Sequence, residues 1–197
     1  MNILIIGSGG QLGIDCTKVL SGRFQVTSID FPEIDITSPQ SLDNAWAAHQ
    51  PQVVINCAAY TQVDNAETEK SSAFAVNKTG CANIAQTCAA NGIPLIQIST
   101  DYVFDGRKRT PYLETDPIAP SGVYGRSKAE GEKEIRSHLE QHIILRTSWL
   151  YGVHGHNFVK SILKLARKEK IIRVVSDQYG SPTSAFDLAQ VIFIIVG

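Results

Sequence analysis

The first thirteen residues constrain the fold more than any other stretch of the chain. An isoleucine-rich apolar run, Asn2 to Ile6, leads without a linker into Gly7-Ser8-Gly9-Gly10-Gln11-Leu12-Gly13. A short continuous apolar run predicts a strand buried on both faces, as in a parallel sheet. The pattern from Gln11 to Leu20 predicts a helix, so the glycines fall in a strand-to-helix turn. Each has a mechanical reason there. Gly7 permits the tight turn, Gly10 lets backbone N–H groups approach a pyrophosphate, and Gly13 lets the helix pack closely on the strand. The positive end of the helix points at the same place. This context turns a weak glycine pattern into a dinucleotide-binding expectation.

The rest of the chain repeats the alternation. Strands are predicted at Phe24–Ile29, Val53–Cys57, Pro94–Ser99, Ile143–Arg146 and Ile171–Ser176. Helices are predicted from Ser38-Pro39 to about His49, over Glu67–Asn91, Val123–Gln141 and Asn157–Lys170, and from near Ser184, where Ser184 and Asp187 suit a capping box. Gly92 is a helix stop. The stretch from Asp105 to Gly122, with prolines at 111, 117 and 120, is a long connection of the kind that usually carries function. Strands that lack period-2 polarity and alternate with helices predict an α/β fold, a doubly wound parallel sheet of the Rossmann type. Residues 1–150 are expected to form the cofactor-binding domain with the catalytic residues. Residues 151–197 are expected to continue the sheet and begin a substrate-binding part. The terminal helix, expected to be buried, runs to the last residues, which suggests a fragment.

Strand two ends in Asp30, 17 residues beyond Gly13. That is close to the ~20-residue offset of a carboxylate that accepts hydrogen bonds from a cofactor ribose. Such an acid favours NAD and repels a 2′-phosphate. Asp35-Ile36 reads either as the holder of an adenine edge or as a helix-entry acid. Ala58-Ala59-Tyr60-Thr61 follows strand three, where small residues leave room for a flat ligand or simply pack tightly.

Tyr124-Gly125-Arg126-Ser127-Lys128 places Tyr and Lys on one helix face. A free phenol has a pKa of ~10, and a neighbouring ammonium is expected to lower it. Tyr124 could then protonate a carbonyl oxygen while hydride arrives at its carbon, with Lys128 holding the nicotinamide ribose. By itself this spacing is an ordinary surface pair. The glycine turn upstream, and the hydroxyls of Ser99-Thr100 at a strand end, make it a catalytic candidate.

These blocks resemble the extended short-chain dehydrogenases/reductases and, within them, the dTDP-4-dehydrorhamnose reductases. The resemblance is carried by Gly7 to Gly13, by Asn56-Cys57-Ala58-Ala59-Tyr60-Thr61-Gln62-Val63-Asp64, by Ser99-Thr100-Asp101-Tyr102-Val103-Phe104-Asp105-Gly106, by Tyr124 to Lys128, and by Arg146-Thr147-Ser148-Trp149-Leu150-Tyr151-Gly152. It implies a catalytic set of Thr100, Tyr124 and Lys128. It implies cofactor contacts from Gly10, Gln11, Leu12, Asp30, Asp35, Ile36, Ala59, Tyr60 and Thr61. It places the sugar near Thr100, Asp101 and Trp149, although a Trp at a strand exit otherwise reads as packing. The implied activity is NADPH- or NADH-dependent reduction of the 4-keto group of a dTDP-6-deoxyhexose to dTDP-L-rhamnose, a precursor of surface polysaccharide such as lipopolysaccharide. A magnesium-linked homodimer is implied for some members only. Members run about a third longer than this chain, so much of the nucleotide-sugar part is expected to be missing.

Two alternatives share these features. A nucleotide-sugar epimerase would keep NAD tightly bound; a dehydratase is disfavoured because Asp101 is followed by Tyr102 rather than a second acid. A non-catalytic regulatory subunit of the same fold would not need Thr100 beside the Tyr–Lys pair.

Composition sets the remaining bounds. The chain has 197 residues and 43% hydrophobic content, enough for one sizeable core. A net charge of −1 from 18 basic and 19 acidic residues points to neither nucleic acid nor a membrane surface. The basic cluster Lys164, Arg167, Lys168 and Lys170 reads as a solvated helix end. Cys16, Cys57, Cys81 and Cys88 have no metal-ligand or redox spacing and read as reduced apolar thiols of a cytoplasmic protein. No signal peptide is expected, since Met1 leads directly into a strand. Asn77-Lys78-Thr79 reads as a chance glycosylation sequon.

Overall fold

A computed structural model describes residues 1–197. In chain order the main elements are β1 (Asn2–Ile6), α1 (Gln11–Leu20), β2 (Gln25–Ile29), α2 (Pro39–His49), β3 (Val53–Asn56), α3 (Lys70–Phe74), α4 (Cys81–Asn91), β4 (Leu95–Thr100), α5 (Val123–His138), β5 (His142–Thr147), β6 (Leu150–Tyr151), α6 (Phe158–Ala166), β7 (Thr183–Ser184) and α7 (Ala185–Val196). The central sheet is parallel with strand order β2-β1-β3-β4-β5. The order reverses between β1 and β3, and ligands of open α/β sheets bind at such a switch point, beyond the carboxyl ends of the strands.

The apolar strands are explained by the two cores they serve. Leu4 and Ile6 pack with Trp46 of α2, Ile84 of α4 and Ile135 of α5 on one face. Ile3 and Ile5 pack with Cys16 of α1 and Ala189 and Ile192 of α7 on the other. Every side chain of β1 beyond Asn2 is therefore buried, and the period-2 signal of a half-exposed strand is lost.

The expected helix over Glu67–Asn91 is helical without a gap from Lys70 to Asn91, but its winding changes along the way. A short 3₁₀ turn at Asn65–Glu67 precedes α3, and a π-helical segment, Ala75–Gly80, joins α3 to α4. The amphipathic pattern could not reveal this, because the extra residue per turn is dictated by packing. Asn77 lies in that segment with its backbone carbonyl against α5, where a Cβ on Gly131 would meet it at 2.0 Å.

Three expectations at the C-terminal end are corrected. Ile171–Ser176 forms no strand and pairs with none; Ile171 is 78% exposed and Val175 62% exposed. The central sheet therefore ends at β5, and the residues after 150 add only β7 to a separate two-stranded sheet with β6. Helix α7 is not buried all round. Ala185, Ala189 and Ile192 face the core, while Phe186, Val191 and Ile194 are exposed. Its start is as expected, with the Ser184 hydroxyl accepting the Asp187 N–H at 3.2 Å. No helix is long and apolar enough to cross a membrane.

Candidate active site

A cleft of about 990 Å³ opens at the carboxyl ends of the strands, at the upper end of ligand-site sizes. Every candidate cofactor, catalytic and sugar-contact residue expected from the sequence lines it, from Gly7 in the first turn to Trp149 after β5.

The glycine turn divides its glycines by purpose. Gly7 has φ +79°, and a Cβ there would lie 2.5 Å from the Ala58 nitrogen. A Cβ on Gly13 would lie 2.3 Å from the Gly7 carbonyl. Both are required by the protein's own packing. Gly10 is different: its φ of −74° suits any residue, and a Cβ would meet only the Gly7 carbonyl, at 3.4 Å. The space above Gly10 is thus left open at the N-terminus of α1, where a pyrophosphate fits.

Asp30 accepts the Gly9 N–H and the Phe31 N–H, each at 2.8 Å, one on each carboxylate oxygen. It braces the turn and keeps a free lone pair on each oxygen for a ribose hydroxyl. Asp35 accepts the Thr37 N–H and hydroxyl on one oxygen, at 2.9 and 2.7 Å, as a turn-forming acid does. Ile36 is buried in the core and still borders the cleft. The Gln11 side chain is held across the cleft edge; its Oε1 accepts from Asn157 Nδ2 at 2.8 Å. The same amide bonds the Gly152 carbonyl, so the glycine turn is tied to the loop before α6.

Helix α5 carries Tyr124 and Lys128. Its first turn has no cap of its own; the Glu67 carboxylate accepts the Val123 N–H at 2.7 Å. Gly125 lets the helix close on the turn after β4, because a Cβ would lie 2.2 Å from the Tyr102 carbonyl. The Tyr124 ring then meets the Tyr102 ring edge-on at 5.7 Å.

The electrostatics differ from expectation. Burial pushes the Tyr124 phenol up to about 12; the Thr100 hydroxyl offsets this in part, while Asp101 and Tyr102 add to it. Lys128 does not lower it. Its Nζ donates to the Ile98 carbonyl at 2.8 Å. Burial pulls the pKa of Lys128 down, against the opposing influence of Cys81, Glu132 and Cys57. Burial likewise raises Asp101, whose carboxylate accepts from Thr100 Oγ1 at 3.2 Å.

On the far wall, Trp149 holds a left-handed φ of +48°, an uncommon conformation that needs outside support. Gly180 gives it room, since a Cβ there would lie 2.6 Å from the indole nitrogen. Phe158 packs against the ring at 5.8 Å.

Two site-building residues escape a sequence reading. Asn77, taken for a chance sequon, is 1% exposed. Its side chain clamps the Tyr60 backbone, accepting the N–H and donating to the carbonyl, both at 3.0 Å. Glu132 is also 1% exposed and sits behind Lys128. No local signal marks either as part of the site, because most of their partners lie far away in sequence. The thiols behave as expected: Cys81 is pushed up to about 11 and Cys88 to about 12, in both cases by burial. No group of three or more His, Cys, Asp or Glu side chains comes together in the chain. The magnesium implied by resemblance has no such ligand set here.

Comparison with known proteins agrees with this geometry. The chain is 46% identical, over 99% of its length, to a dTDP-4-dehydrorhamnose reductase of Aggregatibacter actinomycetemcomitans. A crystal structure of a dTDP-4-dehydrorhamnose reductase from Clostridium acetobutylicum superposes with a TM-score of 0.96 at 41% identity, covering 100% of this chain and 70% of that one. One from Bacillus anthracis, in complex with NADP, does so with a TM-score of 0.96 at 38% identity, covering 99% and 70%. The chain spans 69% of the Aggregatibacter protein and 62% of a Streptomyces griseus relative. The family described as the RmlD substrate binding domain matches residues 1–197, and the chain belongs to the dTDP-4-dehydrorhamnose reductase family.

Proposed function

We propose that the cleft is the active site of an NAD(P)H-dependent reductase that converts the 4-keto group of dTDP-4-dehydrorhamnose to the alcohol of dTDP-L-rhamnose. The observation that carries this reading is the convergence of Thr100, Tyr124 and Lys128 on the same cleft as the glycine turn. Gly7, Gly10, Gln11, Leu12 and Gly13 would hold the cofactor pyrophosphate, and Asp30 its ribose. Asp35, Ile36, Ala59, Tyr60 and Thr61 would border the adenosine and nicotinamide halves.

A bound NADPH or NADH supplies the hydride. Tyr124 supplies the proton. Its raised pKa of about 12 keeps the phenol protonated across the neutral range, the form that can donate. Thr100 adds a second hydroxyl at the same oxygen, so charge that builds there meets two donors in a dry site. Lys128 would hold the cofactor ribose, and Asp101 and Trp149 would flank the sugar. NADP in the Bacillus anthracis relative favours acceptance of the 2′-phosphate despite Asp30.

Residues 1–150 form the cofactor and catalytic domain in this reading, and residues 151–197 begin the nucleotide-sugar part. The enzyme would work in the cytoplasm on a precursor of surface polysaccharide; a homodimer is the assembly the resemblance suggests. The test follows NADPH absorbance with dTDP-4-dehydrorhamnose, using this chain and a form extended to the length of its relatives. Substrate-dependent oxidation by the extended form is expected. NADPH binding without any oxidation there would overturn the substrate assignment.

A further inference from the structure

One face of α5 is fastened to the end of β4 at three levels. Tyr124 faces Thr100, Lys128 donates to the Ile98 carbonyl, and Glu132 accepts the Ser99 hydroxyl at 2.6 Å. The spacing of four residues brings these side chains to one stripe of the helix. Only the first two levels belong to the chemistry proposed above.

The third level is built as strongly as the others. Glu132 is 1% exposed, and burying a carboxylate is costly unless it is paired and hydrogen-bonded. Here both oxygens are fully engaged. Oε1 accepts from Ser99 Oγ and from Arg146 Nε at 2.9 Å. Oε2 accepts from Arg146 at 2.7 Å and from Arg136 at 3.0 Å. Arg146 stands in register with Ser99 on the next strand, as Thr147 does with Thr100. Glu132 thus joins α5, β4 and β5 directly beneath the reacting groups.

We propose that Glu132 is a positioning residue for the active site: it locks the ends of β4 and β5 against α5 and sets a buried carboxylate one helical turn from Lys128. The groups facing Lys128 are the Cys81 thiol from α4, the Cys57 thiol after β3 and Glu132 from its own helix. Both thiols have pKa values raised by their surroundings and are neutral at physiological pH. Glu132 is therefore the one carboxylate among them. Facing Glu132 are Ser99 from β4, Arg146 from β5 and Arg136 from α5, with Glu114 acting on Arg146 from the long loop. The arginines stop the carboxylate from taking up a proton, and what remains of its field falls on Lys128.

The inference rests on reading Lys128 as an active-site group, but its test needs neither substrate nor turnover. The titration of the Lys128 side chain is followed by NMR of the ¹³C-lysine-labelled chain, with the signal assigned by its loss in Lys128→Met. Glu132→Gln keeps the shape and removes the charge. It should lower the Lys128 midpoint by about one pH unit and weaken NADPH binding several-fold. Arg146→Gln leaves the carboxylate under-neutralised and should move the midpoint upward. Loosened packing would let water reach Lys128 and move its midpoint up in both variants, so the downward shift in Glu132→Gln is the deciding result and the upward shift in Arg146→Gln supports it. A Lys128 midpoint that stays put in a folded variant, with only thermal stability reduced, would overturn the proposal. Failure of substrate oxidation with these shifts present would overturn the substrate assignment and leave the positioning role standing.

Discussion

The two walls of the cleft are built in different ways. The cofactor wall grows out of β1, β3 and β4, whose apolar side chains are buried on both faces by α1 and α7 on one side and α2, α4 and α5 on the other. The opposite wall, from Ser148 to Ser184, holds large apolar side chains in the open: Val153, Ile171 and Tyr179 are 80, 78 and 93% exposed. Helix α6 has no buried residue at all. Few polar contacts fix this wall to the first, chiefly the Asn157 bridge to Gln11 and the Lys18 contact with His154. The first wall is rigid because the core defines it. The second is held from the first by a handful of polar contacts, and elements with few buried contacts open most easily.

The contrast can be tested by perturbing each wall. The largest effect belongs to the rigid side. In an extended form that turns over, Tyr124→Phe removes one hydroxyl and should cut turnover by about 10²–10⁴-fold, with NADPH affinity within a few-fold of the parent. Unchanged turnover in steady-state assays would remove Tyr124 as proton donor. Next comes Ile55→Ala, at a fully buried site in β3. It should cost about 2–5 kcal/mol in denaturant unfolding. The smallest effect is expected on the open wall, where Ile171→Ser should change stability by less than about 0.5 kcal/mol. A loss there comparable to that of Ile55→Ala would erase the distinction between the walls.

The rigid wall was also the legible one. Asn2 to Gly13 announce a buried strand, a phosphate turn and a helix because those requirements are local: apolar continuity, glycine spacing, a helix N-terminus. Tyr124 and Lys128 could be placed on one face by counting. Their electrostatics could not. A phenol beside an ammonium suggests a lowered pKa, whereas burial raises Tyr124 to about 12 and Lys128 turns to the Ile98 carbonyl. Asn77 and Glu132 were invisible for a related reason: Asn77 holds Tyr60 and Ser127, and Glu132 holds Ser99, Arg136 and Arg146, mostly across large gaps in sequence. The strand expected at Ile171–Ser176 failed in the opposite sense. Its residues suit a strand, but they pair with no other strand, and β-propensity is largely a measure of the neighbours a strand packs against. The Asp30 carboxylate shows a middle case: its place at the end of β2 could be read, its grip on Gly9 could not.

The two tryptophans fall on either side of this divide. Trp46, on α2, is 6% exposed in the core against β1, and Trp149 is 38% exposed at the cleft with Gly180 against its ring. The chain therefore carries two intrinsic fluorophores with separate duties. Emission from Trp46 follows the integrity of the fold, while emission from Trp149 follows what occupies the cleft. Trp149→Phe leaves the first alone, so the difference between parent and variant emission isolates the cleft signal without any added label.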